Sequence, residues 1–413
     1  MCRHHFMCRV PASDGGPVVT RVALVPSAYP PSVGGVEKLT RHLALALRAA
    51  GDDVEVWTGL PDDHHPETVE VRDGLVVRRF PMPLPASRVS AVSHAATTGW
   101  RTMRAMRRAV DTFRPEVLHV QCFGPNGTYA TALSRLCRVP LVITLQGETL
   151  MDDADIFNTS QVLRASLRAG IRSAAAVTAC SAFTLDDAVT RFGLATGNGS
   201  VIFNGVSLEP SAEDDPATVL PAALDDVPYV LALGRVVDKK GFDLLLAGYA
   251  AMDPSRRTAD LVIGGTGSAL ERLEAQAEES GIADRVHFVG RLSREQVAAA
   301  MAGARVFVMP SRLEPFGIVV LEGWRAGTAV VATDRGGPPE FVHNGEDALL
   351  VDPFDTAAVA EVLGRILSDD DLRRRIAAAG RARVEAFAWP RIAEEYRAVY
   401  GAVRDGRSDR VAS

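Results

Sequence analysis

The feature that most constrains this chain is an alternation that runs nearly from end to end, in which short β-rich runs are separated by segments of helical period. Such a pattern requires parallel strands joined by crossover helices, because a parallel neighbour is reached only through a long connection. In the first half the candidate strands are Arg21–Pro26, Val54–Thr58, Leu75–Arg79, Val117–Gln121, Leu141–Leu145, Ala175–Ala179 and Val201–Phe203. Helical segments such as Val36–Ala49 and Val92–Phe113 fall between them. Over Gly205–Val227 the pattern breaks, and Pro210, Pro216 and Pro221 punctuate the acidic stretches Glu213–Asp215 and Asp225–Asp226, which reads as a linker. The alternation restarts with Tyr229–Leu233, Ala259–Ile263, Arg285–Val289, Arg305–Met309, Ala329–Ala332 and Ala348–Val351. The expected fold is therefore α/β, with two doubly wound, Rossmann-like domains. Such sheets bind ligands beyond the carboxyl ends of their strands, so the cleft between the domains is the default site.

The expected boundaries are a disordered tail over 1–19, a first domain over 20–205, a linker over 206–227, a second domain over 228–386 and a closing helix over 387–405. That helix is expected to cross back onto the first domain, with Pro390 kinking the chain. A length of 413 residues with 47% apolar content is ample for two full cores. The net charge of −6 argues against general nucleic-acid binding, which needs a broad basic surface. Five cysteines (Cys2, Cys8, Cys122, Cys137, Cys180) are odd in number and form no C-x-x-C pair, so a disulfide framework is not expected. Cys2-Arg-His-His-Phe-Met-Cys8 offers soft metal ligands but precedes any periodic structure, and Met7 is an alternative start. Without an apolar segment suited to a signal peptide or a membrane span, the expected location is the cytoplasm.

Only three of the 45 cationic residues are lysines: Lys38, Lys239 and Lys240. In a chain where arginine is the default cation, two adjacent lysines need a reason. A second constellation lies in Ser311-Arg312-Leu313-Glu314-Pro315-Phe316-Gly317-Ile318-Val319-Val320-Leu321-Glu322, after the strand Arg305–Met309. Glu314 falls in the strand-to-helix loop and Glu322 about one and a half turns into the helix. A helix N-terminus presents unpaired N–H groups and about half a positive charge, which suits phosphate and hydroxyl-rich ligands. Carboxylates beside it accept hydrogen bonds from sugar hydroxyls. Glu314 also reads as a cap and Glu322 as part of a solvated face. The apolar run around Glu322, where a carboxylate needs a partner, favours the functional reading.

This E-x7-E element, with its surroundings, resembles the retaining glycosyltransferases of the GT-B fold, family GT4, over nearly the whole chain. Pro30-Pro31-Ser32-Val33-Gly34-Gly35-Val36-Glu37 is similar to the family's glycine loop, and Val201-Ile202-Phe203-Asn204-Gly205-Val206 to its signature before the hinge, with Ser207 where an acidic residue usually follows. Gly234-Arg235-Val236-Val237-Asp238-Lys239-Lys240-Gly241, Val286-His287-Phe288-Val289-Gly290, Gly336-Gly337-Pro338-Pro339-Glu340 and Asn344-Gly345 continue the likeness in order. The resemblance implies that Arg235, Lys240, Gly34 and Gly35 hold the diphosphate of a nucleotide sugar and Glu322 its ribose. It also implies that Glu314 orients the sugar and that Phe316, Gly317 and Ile318 line the donor pocket. Lys239 is then the bystander. The implied chemistry is hexosyl transfer with retention, metal-free and without an added cofactor, in which the acceptor hydroxyl attacks from the face the phosphate leaves. The donor is expected to be UDP-, GDP- or dTDP-linked, and the acceptor a small-molecule, glycan or lipid-linked hydroxyl.

One departure stands out. Where the family commonly has His, this chain has Gln146 within Thr144-Leu145-Gln146-Gly147-Glu148. Glutamine hydrogen-bonds but does not titrate. Gln146, Glu148 and Asn204 are the candidates for the acceptor or sugar side, and His119 reads as a strand residue. Acceptor recognition is assigned to the loops Gly124–Thr128 and Gln146–Asp155. Asp153-Ala154-Asp155 matches a metal-binding D-x-D, but helix capping near Asp152 explains it more simply. No Gly-Lys dipeptide exists for a P-loop, and Gly265-Thr266-Gly267-Ser268-Ala269-Leu270 lacks the carboxylate of a dinucleotide site. Arg101, Arg104, Arg107 and Arg108 share a helix face, either solvated or in peripheral contact with anionic lipid. The rival functions are a pseudo-glycosyltransferase or GT-B epimerase with the same donor pocket, and a non-catalytic sugar-nucleotide-binding protein.

Overall fold

Fourteen strands form two sheets in the computed structural model, which describes residues 19–32, 34–60, 67–84, 89–152, 155–208 and 227–406, with side chains over 89–96 left aside. The first sheet comprises β1 (Arg21–Pro26), β2 (Asp53–Gly59), β3 (Thr68–Arg72), β4 (Leu75–Phe80), β5 (Val117–Gln121), β6 (Leu141–Leu145), β7 (Ala176–Ala179) and β8 (Ser200–Val201). Their order is β3-β4-β2-β1-β5-β6-β7-β8, parallel throughout except for the β3–β4 pair. The second comprises β9 (Tyr229–Leu233), β10 (Asp260–Gly264), β11 (Val286–Gly290), β12 (Val306–Met309), β13 (Ala329–Thr333) and β14 (Leu349–Val351), in the all-parallel order β11-β10-β9-β12-β13-β14.

These orders locate the ligand-binding ends. Successive connections wind away from β1 in one direction and then return to place β5 on its other side. In the second sheet β9 likewise lies between β10 and β12. A crevice opens at each such reversal, because the two following loops leave in opposite directions. The central strands are buried on both faces. β5 and β6 have no exposed residue, which is why they read as continuous Val/Leu/Ile runs rather than as alternating ones.

The last helix, Trp389–Arg404, lies on the first sheet. Trp389, Ile392, Ala393, Tyr396, Val399, Tyr400 and Val403 recur at helical spacing and join Val22, Leu24, Leu43, Val56 and Val142 in one core cluster. It packs along the helix Gly35–Ala49, with the His42 and Trp389 rings stacked at 6.0 Å. Pro390 occupies the first turn of this helix, where a missing N–H costs nothing, so it starts the helix rather than kinking it. The chain turns back at Val384–Phe387, and Val206 bridges Ala388 just beyond, so two strands of chain cross between the domains side by side.

The positions of the strands and of the two helices delimited from sequence follow that reading closely, with ends shifted by up to three residues. β3 was not foreseen. It is a short antiparallel edge strand whose Val69 and Val71, alternating with Glu70 and Arg72, face solvent, so it lacks the continuous apolar run that marks the buried strands. Residues 1–18 of the expected 1–19 tail, with the Cys2–Cys8 segment, most of the linker (209–226), Val33 of the glycine loop and Asp153-Ala154 lie outside the described residues. Cys122, Cys137 and Cys180 are unpaired.

Candidate functional site

The two loops at the reversal of the second sheet meet beyond the carboxyl ends of β9 and β12. After β9 the chain passes exposed Arg235 and a single turn, Asp238–Lys240, to Gly241. Gly241 adopts φ +67°, and a Cβ there would fall on the Pro310 carbonyl of the facing loop. Arg312, which drew no attention in the sequence, clamps the same junction: it donates to both Asp243 carboxylate oxygens at 2.7 and 2.6 Å and to the Asp238 carbonyl at 2.6 Å. A bidentate arginine fixes orientation as well as distance. Lys240 Nζ thereby comes to donate to Glu314 Oε2 at 2.7 Å, and Ser311 Oγ donates to the same oxygen at 2.9 Å. Glu314 is held by its backbone too, through Arg335 and Gly337 of the Gly336-Gly337 loop. Lys240 and Glu314, assigned to one ligand from sequence, thus stand in direct contact.

Gly317 (φ +91°) turns the chain into the helix Ile318–Ala326. Glu322 is the fifth residue of that helix, with its side chain 12% exposed, and it pairs with Lys38 of the first domain's helix Gly35–Ala49. Ile318 packs against the cores of both domains. Phe316 departs from expectation. Its ring stacks on Phe341 at 4.7 Å and tilts against Phe203 at 5.8 Å, and the residue is 3% exposed, so only its backbone is left for a ligand. Aromatic character outweighed the loop position here, because burying the ring stabilises the fold by about 1.5–3 kcal/mol.

On the first domain's side, Gly34 and Gly35 are exposed at a helix start, but the next turn is not bare. A Cβ on Gly34 would run into the Glu37 carboxylate, which folds back over the N-terminus. Gln146 is engaged on both ends of its amide: it donates to Gln121 Oε1 at 3.0 Å and accepts from Asn204 Nδ2 at 2.9 Å. Gln121 in turn meets His119 Nε2 at 3.2 Å, and His119 Nδ1 reaches Tyr400 of the last helix at 2.6 Å. Burial drives the His119 pKa down to about 3, so the ring is neutral and serves as a strut within β5. Asn204 is buried, and its side-chain amide is engaged by Gln146.

Glu148 also departs from expectation. Its two oxygens accept the backbone N–H groups of Phe123 (2.6 Å) and Gln146 (2.7 Å), so it braces the loops after β5 and β6 instead of facing a sugar. Burial raises its pKa from the ordinary 4.5 to about 7, against the opposing pull of those amides. Because the folded state binds this proton more tightly than the unfolded chain does, the stabilisation is complete below pH 4.5. It is lost as pH rises to about 7. Urea midpoints of the wild type should accordingly fall more steeply between pH 4.5 and 7 than those of Glu148→Gln. Parallel slopes would remove Glu148 as the cause.

Further contacts cross the cleft. Lys239 donates to the carbonyls of Leu150 (3.2 Å) and Asp152 (2.6 Å), a contact between the domains. The Glu340 carboxylate of Gly336-Gly337-Pro338-Pro339-Glu340 accepts the N–H groups of Ala182 (2.7 Å) and Phe183 (2.8 Å) at the start of the helix Ala182–Phe192. Gly124–Thr128, expected as a loop, mostly forms the first turn of the helix Pro125–Cys137, with Asn126 buried and bonded to the Val25 and Cys122 carbonyls. Arg101, Arg104, Arg107 and Arg108 are exposed beside exposed Trp100, over which the Arg104 guanidinium lies at 5.5 Å. Among the described residues no cluster of three His, Cys, Asp or Glu side chains could hold a metal ion, and no helix is long and apolar enough to cross a membrane.

Two doubly wound domains whose strand-end loops face each other, with paired cations and carboxylates between them, define a glycosyltransferase of the GT-B type. The chain belongs to glycosyltransferase family 4: residues 33–210 match the model of Glycosyltransferase Family 4, and residues 221–383 that of Glycosyl transferases group 1. A glycogen synthase of Mycobacterium tuberculosis is 30% identical over 406 residues, covering 94% of this chain and 95% of that protein. A D-inositol 3-phosphate glycosyltransferase of Streptomyces scabiei is 30% identical over 412 residues, covering 92% and 89%. Among solved structures, sucrose-phosphate synthase from Thermosynechococcus elongatus superposes with a TM-score of 0.74 at 25% identity, over 94% of this chain and 100% of that one. Anabaena HepE in complex with UDP superposes with a TM-score of 0.70 at 19% identity, over 93% and 100%.

Proposed function

We propose that this enzyme transfers a hexosyl group from a nucleotide-diphosphate sugar to a hydroxyl acceptor with retention of anomeric configuration. The observation that carries this reading is the convergence of Lys240 and Glu314 at 2.7 Å on the loops after β9 and β12. Lys240 and Arg235 would bind the diphosphate, a leaving group whose negative charge grows as the glycosidic bond breaks, so that fixed cations favour the transition state over the bound substrate. Glu314 would accept sugar hydroxyls, and Glu322 those of the ribose. The backbone of Phe316, Gly317 and Ile318 at a helix N-terminus adds donors for the same ligand. The acceptor oxygen forms its bond to the anomeric carbon on the face from which the phosphate oxygen departs, and that phosphate oxygen takes the acceptor's proton. No enzyme nucleophile enters. Gln146, pinned by Gln121 and Asn204, has no proton to exchange and would serve as a fixed polar wall beside the sugar.

The relatives support a nucleoside-diphosphate donor. HepE is seen with UDP-glucose, and a trehalose-6-phosphate synthase, the enzyme from E. coli, with UDP-2-fluoro-glucose. The exposed arginines and Trp100 of the helix Val89–Phe113 support contact with an anionic lipid surface during action on a lipid-linked acceptor.

The test is a thermal-shift panel of UDP-, GDP- and dTDP-sugars, since a ligand that binds only the folded state raises its melting temperature. NMR on the product of the binding donor then reads the anomeric configuration. A retained anomer released at an unchanged rate in EDTA is expected. An inverted anomer, or loss of activity restored by a divalent cation, would overturn the retaining or the metal-free part of the proposal.

A further inference from the structure

All three lysines of this arginine-rich chain face the same cleft. Lys240 meets Glu314, Lys239 meets two carbonyls of the first domain, and Lys38 crosses from the first domain to Glu322. Lys38 is the fourth residue of the helix Gly35–Ala49, one turn from an N-terminus that already carries partial positive charge. A cation is disfavoured there, whereas Glu37 beside it is the residue such a terminus prefers. Lys38 is therefore placed against its own helix, and its partner is a carboxylate 284 positions away in sequence.

We propose that Lys38 is a second diphosphate-binding cation, supplied by the first domain, which Glu322 holds in place until the donor arrives. This rests on the nucleotide-sugar reading above. Each donor-side carboxylate is neutralised by a lysine: Glu314 (11% exposed) by Lys240, and Glu322 (12% exposed) by Lys38. Leaving either carboxylate unpaired at that burial would be costly. A nucleotide sugar brings both partners needed to replace these pairs. Its ribose and hexose hydroxyls satisfy the carboxylates, and its diphosphate takes up the two released ammonium groups. The lysine ammonium is a compact point charge with three rotatable donors on a flexible four-carbon stem, so it changes partner without demanding a fixed bidentate geometry. Because Lys38 and Lys240 belong to different domains, the exchange would also couple donor binding to domain approach.

Lys38→Ala separates this role from that of a plain strut between domains. We compare Kd values of wild type and variant for the nucleosides uridine, guanosine and thymidine and for UDP, GDP and dTDP, with the far-UV spectrum and melting temperature as fold controls. Removing Lys38 leaves the nearly buried Glu322 without that partner, so a lower melting temperature is expected; an unchanged far-UV spectrum and a cooperative melt well above the assay temperature establish that the variant is folded when its affinities are read. If Lys38 binds the diphosphate, affinity for the preferred nucleoside diphosphate falls roughly tenfold or more, while its nucleoside binds as well as before or more tightly because Glu322 has lost a competitor. KM for the sugar donor rises with it, and Lys38→Arg recovers part of the loss. If Lys38 is only a strut or a competitor for Glu322, nucleoside and diphosphate affinities move together or not at all, which overturns the proposal. Wild-type protein that binds no nucleoside diphosphate would instead overturn the donor reading itself.

Discussion

Lys240→Ala and Glu314→Ala should each lower kcat by about 10²–10³-fold, the size of effect seen when one fixed group that stabilises developing charge is removed. On the proposed reading the two substitutions act on different parts of the donor, so they should also differ in kind. Removing Lys240 takes away the cation proposed to interact most strongly as the phosphate leaves, and leaves the nearly buried Glu314 carboxylate with the Ser311 hydroxyl. A measurable fall in melting temperature should accompany the loss of activity. Removing Glu314 leaves Lys240 at 21% exposure, better able to find water, so stability should change less while sugar orientation is lost. Steady-state kinetics with thermal melts on both variants checks this. Unchanged turnover in either one would remove that residue from the reaction, and collapse of the fold in both would reduce the pair to a structural contact.

A second large effect should follow from Gly147→Ala. This glycine follows Gln146 in the first domain at φ +88°, and a Cβ there would occupy the space of the Pro315 ring in the second domain. Two costs combine. A left-handed backbone is strained for alanine by roughly 1–2 kcal/mol, and the new methyl wedges the loop of Gln146 away from that of Glu314. Neither domain's own core is touched. The expected result is a loss of turnover of at least about tenfold, because the wedge holds the loops of the two domains apart, with both domains still folded and the particle larger in small-angle scattering. Full activity with unchanged scattering would mean that the close approach of Gly147 to Pro315 plays no part in catalysis.

Much of the architecture was legible because its signals are local. A strand buried on both faces declares itself as an apolar run, and the order β5, β6, β9, β12 could be read from Val117–Gln121, Leu141–Leu145, Tyr229–Leu233 and the run ending at Met309. The loops that follow β9 and β12 could be marked as functional for the same reason, since a strand end and its loop are contiguous in sequence. The edge strand β3, solvated and antiparallel, offered no such pattern. Phe316 and Glu148 were misplaced because residue type and loop position do not say which way a side chain turns. Phe316 turned into the aromatic cluster, and Glu148 turned onto two amides of its own domain.

The sequence by itself determined that the chain forms two parallel-sheet domains and where their strand-end loops fall. It also showed that lysine is rare enough here for each occurrence to need a reason. Only the tertiary structure decided which charges meet. Arg312 with Asp243, Lys239 with the Asp152 carbonyl, Glu340 with the amides of Ala182 and Phe183, and Lys38 with Glu322 all join residues far apart in the chain. Periodicity and spacing are properties of one segment at a time. An ion pair across a cleft depends on how two separately folded domains approach each other, and that is set by the packing of the helix Trp389–Arg404 and the crossing at Val206 and Ala388.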